Sequence, residues 1–189
     1  GTGKLTILKH LKELLPTDTT CLLDNHVLID PVAAVIPDRS DRHHELRRLV
    51  RAPVFKELGN RAREGHIVLM TACLAAENER DAAFLQDHLD IARQGQVPIY
   101  WINVHCDLAT LQKRATDHER QQGGKTKLTD MHVLQSIVEK HRLIEPFTTG
   151  DDDTRLLFEK LDVSGSVESS VTRLMGITGF SCGKEIDPG

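Results

Sequence analysis

Nowhere in the 189 residues is there a run of the roughly 18 apolar side chains that a membrane-crossing helix needs. The first residues also lack the basic segment and apolar core of a secretory leader. Cysteine is sparse: Cys21, Cys73, Cys106 and Cys182 show no CxxC or Cys/His ligand spacing. Free, buried thiols in a reducing compartment are the reading. Basic residues are not in excess, since 24 Lys and Arg stand against 28 Asp and Glu for a net charge of −4. Total charge therefore offers no footprint for nucleic acid. These absences lead us to expect a cytoplasmic protein with neither a membrane nor a nucleic acid as partner.

What is present is a core. The chain is 39% hydrophobic and 28% charged, a balance suited to one globular domain. Leu5, Leu8, Leu11 and Leu15 recur at helical spacing before Pro16. Strand-like runs lie at 19–24, 66–73, 97–104 and 156–163, and helical segments separate them. After the first run a Pro-rich loop is expected through Pro31 and Pro37. Ser40 caps a long helix interrupted near Pro53 and stopped by Gly65. Gly95 ends the next helix, Asp107 caps the following one, and 130–144 resumes as a helix stopped by Pro146. Alternating strands and helices predict a three-layer α/β fold with a mainly parallel sheet.

A phosphate loop reads G-x-x-x-x-G-K-[ST] between strand and helix. Its glycines turn backbone N–H groups toward phosphate oxygens, while the lysine reaches the terminal phosphates. Gly3 and Lys4 supply the second glycine and the lysine. The first glycine, and the strand ahead of it, would fall before residue 1. The hydroxyl that normally follows the lysine and binds Mg²⁺ is replaced by Leu5, with Thr6 one residue later and about 100° further round the helix. Thr6 takes that role only if the helix starts in a shifted register.

Several segments carry a wider likeness: GTGKLT at 1–6, LLDNHVLIDPVAAVIPDRS at 22–40, ELRRLVRAPVFKEL at 45–58, VHCDLATLQKRATDHERQQGGKTKLTD at 104–130, and HRLIEP at 141–146. Through them the chain resembles P-loop kinase-like proteins found mostly in fungi, near the adenylate-kinase-like and chloramphenicol-phosphotransferase-like groups of P-loop nucleoside triphosphate hydrolases. The resemblance implies a sheet of order 2-3-1-4-5 whose central strand 1 is missing from these residues. It also implies a nucleotide-binding domain over 1–176 with a short helical lid at about 114–130, and a loose tail at 177–189. ATP, and Mg²⁺ with it, are the implied ligands, together with a small-molecule acceptor. Gly1, Thr2, Gly3, Lys4, Leu5 and Thr6 would hold the nucleotide, with Arg120 from the lid, and Thr6 would be the metal ligand.

Two residues carry the expected chemistry. Asp24 closes the first strand-like run, at the edge where open α/β sheets bind ligands, and an acid there orients or deprotonates an acceptor hydroxyl. A solvated aspartate capping the loop would read the same way. Arg114, matched with the lid arginines, would contact the phosphate oxygens, whereas a solvated helix face is the alternative. Arg47, Arg48 and Arg51 form a basic ridge diluted by Glu45 and Glu57, and a charged surface is its commoner meaning. His43 and His44 are adjacent rather than spaced for a metal. The 67–73 run carries no acid to help hold Mg²⁺. Three functions stay open: a kinase for a small molecule, a nucleotide-binding module without efficient chemistry, and an NTP hydrolase. An NKxD-type motif is absent, which argues against a GTPase.

Overall fold

The computed structural model describes residues 2–115, 142–147 and 155–180. Helix α1 (Lys4–Leu14) is followed by a single 3₁₀ turn and strand β1 (Thr20–Leu23). Helices α2 (His26–Val35) and α3 (Asp41–Arg63) precede β2 (Ile67–Met70). Next come α4 (Glu79–Gly95), β3 (Ile99–His105), α5 (Leu108–Ala115), β4 (Leu156–Asp162) and α6 (Val167–Thr178).

All four strands pair in parallel. β1 lies on β2 with Thr20 opposite Ile67 and Leu23 opposite Met70. β3 lies on β4 with Ile99 opposite Leu156 and His105 opposite Asp162. Among the described residues these are two separate two-stranded sheets, and a full sheet of order 2-3-1-4-5 is not seen in them.

Helices cover both faces of β2, whose four residues are all apolar, whereas β4 leaves Leu157, Glu159 and Lys160 exposed. One cluster, centred on Leu11, Leu161, Val163 and Leu174, joins α1 and α6 to the strands and receives Leu69, Ile102 and Val104. A second, around Phe55, Phe84 and Leu89, joins α3 and α4 and receives Val68, Met70, Ile99 and Trp101. Successive residues of β2 and of β3 thus serve opposite helical layers. The arrangement is an α/β fold of short parallel sheets covered by helices, and no helix among the described residues is long and apolar enough to cross a membrane.

Several sequence expectations give way here. Residues 26–35 form helix α2 with Pro31 inside it, not a loop. An interior proline costs about 3 kcal/mol, but burying Leu28 and Val32 returns roughly 3–6 kcal/mol. Likewise α3 runs unbroken through Pro53, held by buried Phe55, Leu58 and Ala62. Its capping by Ser40 stands, since the hydroxyl accepts from the N–H of His43 at 3.4 Å.

α4 ends at Gly95 as expected, and a Cβ there would sit 2.8 Å from the Ala62 Cβ. A Cβ on Gly59 would meet the Gln94 side chain at 2.6 Å, so the two glycines permit the close crossing of α3 and α4. The left-handed position passes to Gln96, at φ 55°.

The helix expected to reach residue 144 is absent at its end. Leu143 bridges Ala75 in antiparallel fashion, and the Ile144 N–H donates to the Leu74 carbonyl at 3.0 Å. The closing helix extends to Thr178, three residues beyond Met175 and into the expected tail. Cys73 is exposed rather than buried. The 123–129 loop, Cys182 and the rest of the tail lie outside the described residues.

Candidate functional site

The carboxyl ends of the strands gather the residues of interest. Gly3 is the N-cap of α1 in the left-handed conformation, φ 85° and ψ 14°, which a residue with a Cβ adopts only with strain. No side chain caps the helix and no acid occupies its first turn. Its first amide groups therefore present partial positive charge without a protein anion to neutralise it.

Lys4 adds a full charge beside them. It lines the cavity between the strand pairs, and among the described residues its ammonium has no hydrogen-bond or ion-pair partner. Leu5 is half-buried and Thr6 exposed in the same turn. The Thr2 hydroxyl oxygen, next to Gly3, is buried without a partner.

Arg114 reaches this loop from α5. Its guanidinium donates to the Thr2 carbonyl and to the Gly165 carbonyl, each at 3.2 Å, and one of its nitrogens stands 3.9 Å from where a Cβ on Gly3 would be. The placement has a local cause. The Asp107 carboxylate caps α5 through the N–H of Thr110 at 2.7 Å and its hydroxyl at 2.8 Å, and the Asp107 N–H donates to the Ser164 hydroxyl at 2.9 Å. Ser164 in turn donates to Asp162 through both its N–H and its hydroxyl. These bonds tie the loop after β3 to the loop after β4 and hold both carboxyls below their usual range, with the Thr110 N–H the main cause for Asp107 and the Ser164 hydroxyl for Asp162.

Asp24 ends β1 and is buried. Its Oδ1 accepts from the Thr71 hydroxyl at 3.0 Å and from the His26 N–H at 3.3 Å. The Thr71 oxygen accepts from the Asn25 N–H at 3.0 Å, and the Thr71 N–H donates to the Leu23 carbonyl. Threonine and aspartate thus form one polar unit at the end of the β1–β2 pair. Sequence reading passed over Thr71, although a lone hydroxyl ending the apolar run IVLM was its available signal.

The other candidates separate from this edge. His26 opens α2 and faces Asp30, with Nδ1 and Oδ1 3.9 Å apart. The arginine ridge dissolves: Arg48 pairs with Glu45 at 2.7 Å, while Arg51 turns inward to Asp87 and lies 3.8 Å from the Phe84 ring centre. His43 is buried with a ring nitrogen 2.7 Å from the Ile36 carbonyl, tying α3 to the end of α2. Gly1, Arg120 and most of the expected lid lie outside the described residues.

The uncapped amides that follow Gly3 and the Arg114 guanidinium beside that loop are the kinds of donor a phosphate group takes. They do not make a cage for Mg²⁺. No group of three His, Cys, Asp or Glu suited to a metal occurs among the described residues, and Leu5 supplies no oxygen. One carboxylate and one exposed hydroxyl suit a cation carried in on its own phosphates.

No protein-family model matches the chain, and no curated protein is significantly similar to it. Among solved structures it is similar to an unliganded sugar kinase from a Janibacter species, with 15% identity and a TM-score of 0.52 over 96% of this chain and 90% of that one. At that identity the likeness concerns the fold alone, and the α/β arrangement is compatible with that of the sugar kinase.

Proposed function

We propose that the protein binds ATP and transfers its γ-phosphate to a hydroxyl group of a small-molecule acceptor. The observation that carries this reading is the Arg114 guanidinium held at the left-handed Gly3 turn, directly ahead of Lys4 and the uncapped start of α1. In this reading the α1 amides and Lys4 bind the β- and γ-phosphates. Arg114 exchanges its carbonyl partners for the oxygens of the transferring group, whose charge it stabilises. Asp24, oriented by the Thr71 hydroxyl, positions the acceptor hydroxyl and takes its proton as the new O–P bond forms. A Mg²⁺ ion arriving with ATP would neutralise phosphate charge, with Thr6 and Asp24 as the protein oxygens nearest in sequence to that task. The sugar-kinase likeness supports the kinase class and leaves the acceptor open. A cytoplasmic location accords with free thiols and a supply of ATP.

A second reading has its own observation. Leu5 stands at the metal-binding position of the loop, and β2 brings Thr71 rather than an acid to the sheet edge, which favours a nucleotide-binding module or a slow NTP hydrolase. ADP release from ATP and Mg²⁺, followed with and without a panel of sugars and polyols, separates the readings. Acceptor-dependent release supports the kinase, acceptor-independent release the hydrolase, and ATP binding without release the module.

A further inference from the structure

One arginine of the α3 ridge has no counter-charge of its own. Arg48 is neutralised by Glu45 and Arg51 by Asp87, whereas Arg47 is half-buried and makes no hydrogen bond or ion pair among the described residues. A guanidinium drawn out of water in this way gains from an anion that replaces its lost hydration.

The surroundings of Arg47 follow from the packing of α3 on α4. The two helices run side by side in one direction, since Asp41 pairs with Arg80, Arg51 with Asp87, and Arg63 donates to the Gln94 carbonyl. Arg47 stands one turn before Arg51 and is therefore level with the first turns of α4. The segment after α2 adds a further cation there, because the His43 ring holds the Ile36 carbonyl at 2.7 Å and Arg39 follows three residues later. Burial, and after it the charges of Arg51 and Arg39, hold the Arg47 guanidinium below its usual range. Burial, and after it Arg80 and Arg47, do the same to the His44 imidazole. Both helices also start at this end, capped by Ser40 and Asn78, so the positive ends of their dipoles add to the same field.

The acids near this end are engaged with other groups. Asp38 accepts from the Ser40 hydroxyl at 2.6 Å, and Asp41 is on Arg80. Asp81, whose charge favours the Arg47 cation, gives its Oδ2 to the Ala75 N–H at 2.8 Å. That bond also relates the cluster to the sheet edge, since residues 72–75 are the segment that leaves the Asp24–Thr71 unit.

We propose that Arg47, with Arg39 and Arg80 at its rim, is a second anion site, and that it holds the phosphate or carboxylate group of the small-molecule acceptor. A planar guanidinium takes two oxygens of either group at once. An anion between Arg47 and Arg39 also relieves their mutual repulsion, which a neutral sugar cannot do. Held by its charged end, the acceptor has its hydroxyl end left to meet Asp24. That the bound molecule is an acceptor rests on the kinase reading, whereas the anion site itself does not.

Glycerol 3-phosphate, glycerate, inorganic phosphate and glycerol are each titrated into the full chain without nucleotide, and backbone amide NMR shifts are followed at 44–48 and 80–81, and separately at 3–5. The expected result is saturable shifts at 44–48 and 80–81 with glycerol 3-phosphate or glycerate, tighter than with inorganic phosphate and absent with glycerol. Arg47→Gln should weaken that binding at least about tenfold, and Lys4→Ala should leave it unaltered. Shifts confined to 3–5, or equal binding by Arg47→Gln, overturn the site. Inorganic phosphate binding as tightly as the organic anions overturns the acceptor assignment. If Arg47→Gln fails to fold, Arg47→Lys keeps the charge without the fork; weakened binding then supports the site and unchanged binding refutes it. With ATP and Mg²⁺ added, Arg47→Gln should raise the KM of the anionic acceptor at least about tenfold and change kcat less than about threefold. Glycerol phosphorylated as well as glycerate would overturn the acceptor assignment, and titrations as expected with no phosphotransfer to any of them would overturn the kinase reading and leave the anion site standing.

Discussion

Replacing Thr71 with valine keeps the side chain's shape and deletes only its hydroxyl, so it isolates the polar unit at the end of β1 and β2. Two bonds are lost, one donated to Asp24 Oδ1 and one accepted from the Asn25 N–H, each of 3.0 Å. Leaving a buried polar group unsatisfied costs about 1–3 kcal/mol, and more where it is charged. The His26 N–H still serves Oδ1 at 3.3 Å, and Asn25 is only half-buried, so part of the loss is recovered. The expected destabilisation is about 2–4 kcal/mol, read by urea unfolding through the fluorescence of the single tryptophan, Trp101. Thr71→Ser, which keeps the hydroxyl, should recover most of it. Phosphotransfer should fall at least about tenfold while ATP binding is unchanged, because the carboxylate loses its orientation and the phosphate loop does not. A loss below about 0.5 kcal/mol with undiminished turnover would refute the argument.

His88 is buried between Phe84 and Trp101, and that burial is the main cause holding its imidazole down at about 4. The folded state therefore resists a proton that the unfolded chain accepts near 6.5, so stability is full above that pH and falls as pH drops towards 4, by about 2–4 kcal/mol. Unfolding free energies at pH 7 and pH 4.5 should converge by a large part of that amount in His88→Phe, and an unaltered slope would contradict the assignment. Arg51 is 12% exposed, donates to Asp87 at 3.1 Å and stacks on Phe84, so Arg51→Ala should cost about 2–3 kcal/mol in the same unfolding assay. A cost near zero would return Arg51 to the surface ridge that its sequence position implies.

Where the signal was local, the sequence was readable. Asp107, directly ahead of Leu108, and Ser40, directly ahead of Asp41, are caps whose hydrogen bonds form within three residues. The four apolar runs became strands, and in β2 the alternating side chains pack against helices on both faces. Errors arose where distant packing outweighed local preference. Pro31 and Pro53 read as breaks, yet each sits in a helix whose buried face offsets the lost hydrogen bond. Gly95 does end its helix, and its missing Cβ also serves a contact with Ala62 across a helix crossing that no local pattern announces. Of the candidate site residues, Gly3, Lys4 and Asp24 were marked out by motif and strand end. Thr71 was not, because its partner lies 47 residues away. Arg114 was reached through resemblance alone, and its contact with Thr2 spans 112 residues, beyond any local pattern.

The phosphate loop is tested most directly by calorimetric titration of ATP into the full chain and into Lys4→Ala. The variant keeps Gly3, the α1 amides and Arg114, and loses only the ammonium beside them. Loss of one charge-assisted contact of about 2 kcal/mol should weaken Kd roughly thirtyfold. Equal affinity in the two proteins, or no measurable ATP binding by either, would contradict the placement of a nucleotide's phosphates at this loop.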